Sequence, residues 1–260
     1  MNEVFPAMVS SRLPLLRNRN ELALFLDFDG TLVEFADHPD AVMLDPETHD
    51  CLARLYERLD GALAIITGRD ITSVDGFLTL PLLPVAGVHG LIRRDASGHV
   101  HELSVNYGFL TGLGKDLDAF AAQHEGLLVE RKPGALALHY RLRPDLAAAC
   151  SSLMDRLTES AAGITVLRGK SVIEARANGA DKGSAIVAFM QEAPFAGRRA
   201  VFAGDDVTDE DGFARVNRLD GITIKVGGGP TCARYRVPGI ADFRRWLCET
   251  AWRFDRQERE

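Results

Sequence analysis

The sequence predicts an α/β protein, a Rossmannoid parallel sheet carrying an inserted α+β cap. Three observations predict it. Short apolar strands alternate with helical segments at both ends of the chain, the pattern of a parallel sheet. The predicted strands run out into polar or glycine clusters, which places one site along one sheet edge. Between about Tyr107 and Ala177 the alternation gives way to two tandem helix-hairpin units, as in an antiparallel sheet with helices on one face. The expected organisation is a core at 1–106 and 178–260 with a cap at 107–177, and insertions over an active edge commonly serve as lids.

Taken in order, Leu22 to Leu26 is an apolar run that reads as a strand buried on both faces, ending in Asp27-Phe28-Asp29-Gly30-Thr31. The following VEFADHPDAV is too rich in Asp and Pro for a helix. A helix is predicted from Pro46 to Leu59, with proline in its first turn. Ala62 to Ile66 is a second strand, closed by Thr67-Gly68-Arg69 and a helix from Asp70 to Leu78. Pro84 to Ala86 is a third, ending in Gly87-Val88-His89-Gly90. In the insertion, helices are predicted at Leu110–His124 and Pro144–Ser160, with hairpins of 127–132 and 135–141 and of 164–168 and 171–176. The alternation resumes with strands at Arg199 to Ala203, before Gly204-Asp205-Asp206, and Ile222 to Val226, before three glycines.

Composition narrows the function. The 260 residues are 46% hydrophobic and 26% charged, an ordinary soluble globular balance. A net charge of −7 argues against nucleic acid or anionic membrane as main partner. No apolar run approaches the ~20 residues that span a bilayer. The first 21 residues lack a basic start before an apolar core, so no signal peptide is expected. The four cysteines, Cys51, Cys150, Cys232 and Cys248, have no zinc-like spacing and read as reduced thiols in a cytoplasmic protein.

The chemistry is concentrated at the strand ends. Asp27 and Asp29 could be a capping turn; equally, one carboxylate there can attack phosphorus or hold a cation while its neighbour moves a proton. Thr67 reads as a helix N-cap or as a phosphate ligand at a helix N-terminus. Lys182 opens a helix, where lysine opposes the dipole, so a phosphate would explain it. In GDDVTDED, Thr208 with Asp211 fits a capping box, which leaves Asp205 and Asp206 unexplained. Two such carboxylates at ~4 Å repel by about 4 kcal/mol at an effective dielectric of 20. A hard divalent cation removes that cost, and an all-oxygen set suits Mg²⁺ over zinc.

DFDGTL, TGR, DKG and GDDVTDE, in this order, resemble the haloacid dehalogenase superfamily of aspartate-nucleophile phosphatases. Within it, ADHPD, GVHG, ERKPGALALHYR, GKSVIEAR and GDDVTDEDGF are similar to trehalose-6-phosphate phosphatases, over roughly Leu22 to Tyr235. The departures are mild: Ile92 and Arg93 after GVHG, Pro133, and Ala177. The resemblance implies Asp27 as nucleophile and Asp29 as acid and base in turn, with Thr67 and Lys182 on the phosphoryl oxygens. It also implies Mg²⁺ on Asp27, the Asp29 carbonyl, Asp205 and one of Asp206 and Asp209. Gly68, Arg69 and His89 would line the substrate, a small sugar phosphate. Strand alternation puts Glu130 with Lys132, His139 with Arg141, and Glu174 with Arg176, on a polar sheet face. A solvated face is the plain account; the resemblance makes Glu130, Lys132, Glu174 and Arg141 sugar contacts. The other readings are a phosphatase of sucrose 6-phosphate or mannosyl-3-phosphoglycerate, and a silent sugar-phosphate-binding regulator, which would be expected to have lost a catalytic charge.

Overall fold

A computed structural model describes residues 10, 12–34, 42–80, 82–169, 171–179 and 181–257. Most of the predicted Asp/Pro-rich loop, including ADHPD, lies outside the described residues. In chain order the elements are β1 (Leu22–Leu26), α1 (Pro46–Arg58), β2 (Leu63–Ile66), α2 (Ile71–Phe77), β3 (Val85–Gly87), β4 (Ile92–Arg94) and β5 (Val100–Glu102). Then come α3 (Tyr107–Ala122), β6 (Leu128–Lys132), β7 (Ala135–His139), α4 (Ala147–Thr158), β8 (Ile164–Gly169) and β9 (Val172–Ala177). The last are α5 (Lys182–Phe189), β10 (Arg199–Gly204), α6 (Asp209–Arg218), β11 (Ile222–Val226), β12 (Tyr235–Val237) and α7 (Ile240–Gln257). The chain divides into two compact units, Met1–Glu102 with Asp181–Glu260, and Leu103–Ala180.

The first unit is built on an eight-stranded sheet ordered β12-β11-β10-β1-β2-β3-β4-β5. All pairings from β12 to β3 are parallel. All five β1 residues are buried, which is why the strand reads as continuous apolar sequence. The chain leaves β1 for β2 on one side and returns to β10 on the other, so β1 sits at the switch point where such sheets bind ligands. Phe25 anchors the layer below, its ring 5.3 Å from Phe195 and 6.1 Å from Phe189.

The sheet is mixed, not purely parallel: β4 and β5 add an antiparallel hairpin that the sequence reading lacks. Arg93, one of the family departures, lies buried on that hairpin. Its guanidinium forks onto Glu192 at 2.8 and 2.6 Å and lies 4.7 Å from the centre of the Phe189 ring. β12 and α7 are likewise additions to the predicted elements.

In the second unit, β6-β7-β9-β8 form an antiparallel sheet. Leu136, Leu138, Ile173 and Ala175 cluster with Leu110, Leu113 and Leu117 of α3 and Leu153 and Met154 of α4. The register aligns Glu130, Ala137 and Glu174 across the opposite face, and Lys132, Ala135 and Arg176 beside them. β7 stops at His139, so Arg141 stands in an exposed turn and alternation does not place it on that face. The second predicted helix splits, Pro144–Leu146 forming a 3₁₀ turn before α4.

The expectation of four free thiols fails for one pair. α1 packs on α7 and brings Cys51 and Cys248 together as a disulfide, Cα atoms 5.2 Å apart and 197 residues apart in sequence. That separation hides the pairing from any local spacing pattern. Closing so long a loop removes unfolded-chain entropy worth roughly 2–5 kcal/mol. Cys248→Ser is therefore expected to lower the thermal midpoint by about 5–15 °C, read by calorimetry against wild type with and without reductant. An unchanged midpoint in both would contradict it. Among the described residues, no helix is long and apolar enough to cross a membrane.

Candidate active site

The site grows from the end of β1. Asp27 continues the strand, its N–H donating to the Ala203 carbonyl at 2.9 Å, and the residue is 4% exposed. Lys182, the first residue of α5, is 3% exposed and donates to Asp27 Oδ1 and Asp209 Oδ1, each at 2.7 Å. Two buried carboxylates thus account for a lysine at a helix start, where the dipole alone disfavours it. Asp205, at the end of β10, closes the cluster: Asp27, Asp205 and Asp209 offer oxygens within 4.8 Å of one another. Thr31 Oγ1 lies 3.3 Å from Asp27 Oδ2 and 3.5 Å from Asp205 Oδ1.

Two glycines make the approach possible. A Cβ on Gly30, where φ is +79°, would lie 2.2 Å from the Asp205 carboxylate, and one on Gly204 would lie 2.2 Å from that of Asp209. Thr208 makes no side-chain cap, so the predicted capping box is absent. Asp209 Oδ2 instead accepts from the backbone N–H groups of Asp205 and Asp206, both at 2.9 Å, folding the acidic loop over itself. Asp206 points its side chain to solvent.

Asp29 is gripped by a fork. Arg69 Nε and Nη2 donate to its two oxygens at 2.7 Å each, the guanidinium resting 5.6 and 5.2 Å from the Phe28 and Phe77 ring centres. Thr67 directly follows β2 and is buried, its Oγ1 accepting from the Arg69 N–H at 3.1 Å. It does not cap the next helix: Asp70 does, accepting from Ser73 N at 2.7 Å, and α2 starts four residues on. The Val88-His89 backbone is left-handed at both residues, φ 51° and 54°. Such strain costs roughly 1–3 kcal/mol per residue. It seats the His89 ring on Gly68, where a Cβ would meet Cε1 and Nε2 at 2.7 Å.

The electrostatics call for a cation. Asp27 is pushed well above the usual carboxylate range, first by burial, with Lys182 opposing and Asp209 and Asp205 adding to the rise. Burial also raises Asp205, helped by Asp209 and Asp206. Lys182 is raised: burial works against its charge, but Asp27 and Asp209 outweigh burial. Fully ionised, the three carboxylates against one ammonium would leave two negative charges uncompensated, which a divalent cation would neutralise. The all-oxygen donors fit such an ion.

In the second unit, Lys132 Nζ donates to Glu174 Oε2 at 2.9 Å and lies 3.7 Å from Glu130 Oε2, which bonds His139 Nε2 at 2.8 Å. Burial lowers the Lys132 ammonium, and Glu174 and Glu130 more than offset this, so it sits above the usual lysine range. The sequence shows neither Thr31 as a hydroxyl between two acids nor Lys225, and it marks Asp209 as a metal ligand, not as the anchor of the loop. Lys225 had a signal, a lysine in a strand buried along its whole length.

The profile of a family described as trehalose-phosphatase matches residues 25–239. Over 225 residues the chain is 43% identical to the trehalose-6-phosphate phosphatase of Escherichia coli K12, covering 86% of this chain and 85% of that one. The Aspergillus fumigatus trehalose-6-phosphate phosphatase structure superposes with a TM-score of 0.76 at 24% identity, covering 94% of this chain and 99% of that one. A haloacid dehalogenase-like hydrolase from B. subtilis shares the fold at a TM-score of 0.60 and 14% identity, over 89% of this chain and 99% of its own. With its buried aspartate cluster at the switch point of a haloacid dehalogenase-like fold, the chain belongs to the trehalose-phosphatase family.

Proposed function

We propose that this protein hydrolyses trehalose 6-phosphate to trehalose and inorganic phosphate, with Asp27 as nucleophile and Mg²⁺ as its resident cation. The observation that carries the reading is the buried Asp27, tied to Lys182 and set among Asp205 and Asp209 at the end of β1. The 43% identical Escherichia coli enzyme supports the substrate.

A carboxylate oxygen of Asp27 forms a bond to phosphorus as the bond to the sugar oxygen breaks. Asp29, ion-paired with Arg69 at rest, leaves that fork, takes up a proton from solvent and gives it to the departing oxygen. It then takes a proton from the water that attacks the aspartyl phosphate and releases it to solvent on re-pairing with Arg69, so Asp27 and Asp29 both return to their starting forms. Lys182 spends two donors on Asp27 and Asp209 and keeps a third for a phosphoryl oxygen, beside the Thr67 hydroxyl and the Gly68 and Arg69 amides. Asp27, Asp205 and the Asp29 carbonyl would hold Mg²⁺, which supplies positive charge against the phosphoryl oxygens. Asp209 serves better as the anchor of the loop and of Lys182 than as a direct ligand, since both its oxygens are engaged. Glu130, Lys132 and Glu174 hold sugar hydroxyls, with His89 and the exposed Arg141 as further contacts.

Phosphate release after EDTA treatment tests the metal. Activity on trehalose 6-phosphate should vanish and return with Mg²⁺, with Ca²⁺ a poor substitute because it prefers looser, higher-coordinate sites. Full turnover in metal-free buffer would overturn it.

A further inference from the structure

We infer that Lys225 is a positioning residue for the metal site, holding the backbone of the acidic loop so that the Asp205 carboxylate faces Asp27. The inference rests on the metal reading above. Lys225 occupies β11 opposite Gly204, in the strand that flanks the loop-bearing β10. It is 4% exposed, an uncommon position for a lysine unless its amino group is used. Its Nζ donates to the Asp205 carbonyl and lies 3.4 Å from the Asp206 carbonyl. The acid beside it is Glu210, whose Oε1 lies 3.9 Å from Nζ, beyond hydrogen-bond reach, while its Oε2 accepts from the Cys232 N–H at 2.8 Å.

The loop is therefore clamped from two sides. Asp209 accepts both N–H groups of Asp205 and Asp206, while Lys225 takes their carbonyl side. With the peptide groups held on both edges, the direction of the Asp205 side chain is set before any ion arrives. Removing the amino group leaves the half-buried Asp205 carbonyl without that donor and lets the loop turn to recover one. The carboxylates would remain, but their mutual geometry would not. Partners that orient a metal's ligands typically govern 10–100-fold of its affinity.

The test is Mn²⁺ binding to the full-length protein, with free Mn²⁺ followed by electron paramagnetic resonance. Wild type should bind, and Asp205→Ala should not. Lys225→Met should bind at least about tenfold more weakly while keeping a cooperative thermal melt. At saturating Mn²⁺, kcat of Lys225→Met on p-nitrophenyl phosphate should return to within about threefold of wild type, since added metal cures an affinity defect but not a misfolded one. Wild-type affinity in Lys225→Met, with binding intact in wild type, overturns the inference and leaves the metal reading standing. Absence of Mn²⁺ binding by wild type overturns both. Should Lys225→Met lose its cooperative melt, Lys225→Gln carries the same test, and undiminished affinity there overturns the inference equally.

Discussion

Asp27→Asn is expected to remove turnover on every phosphate ester, by at least about 10⁴-fold, without loss of the fold. The amide is nearly isosteric, and its oxygen can still accept from Lys182, so the packing around β1 should survive. What it lacks is a nucleophilic oxygen for phosphorus. Stability should move the other way in metal-free buffer. A carboxyl raised by burial favours folding while protonated, and that contribution is lost as pH rises from the ordinary carboxylate range through the folded-state value. The amide never ionises, so the thermal midpoint of Asp27→Asn in EDTA should equal or exceed that of wild type near neutral pH. Phosphate release and thermal melts on freshly purified protein, checked for deamidation, measure both. A wild-type rate in the verified amide would rule out covalent catalysis by Asp27.

Truncation at the polar face of the second unit should divide substrates. Glu130→Ala and Glu174→Ala are each expected to cut kcat/KM for trehalose 6-phosphate roughly 10–100-fold, the cost of leaving a polar partner unpaired. For p-nitrophenyl phosphate, which has no sugar to hold, both should stay within about twofold of wild type. The Glu174 change should be the larger, because that carboxylate is the 2.9 Å partner of Lys132 and its loss also frees the ammonium. Steady-state kinetics on the two substrates read this directly. Equal losses on both would mean that these carboxylates serve folding or catalysis instead of recognising sugar.

Much of this architecture was legible because physical constraints wrote it locally. A strand buried on both faces must read as an apolar run, and its end shows as an abrupt polar cluster. That made β1, β2, β10 and β11 visible, with Asp27, Thr67 and Asp205 at their ends. The β4–β5 hairpin was not visible, since IRRDASGHVHE carries its burial on a single arginine paired to Glu192, 99 residues away. The Cys51–Cys248 bond, the Arg69 fork on Asp29 and the Lys225 clamp are all long-range, and no spacing announces them. Thr208 misled because a capping box and a loop anchored by Asp209 share the same letters. Lys225 alone left a trace: a charged residue in a fully buried strand has to be holding something.

The most direct test of the central claim is a comparison of kcat/KM, by phosphate release in saturating Mg²⁺, for trehalose 6-phosphate, sucrose 6-phosphate, mannosyl-3-phosphoglycerate and glucose 6-phosphate. Trehalose 6-phosphate should exceed each of the others by roughly 10²-fold or more, as expected of a site that pairs with substrate hydroxyls. Comparable values across the four, or a preference for another sugar phosphate, would contradict the assignment.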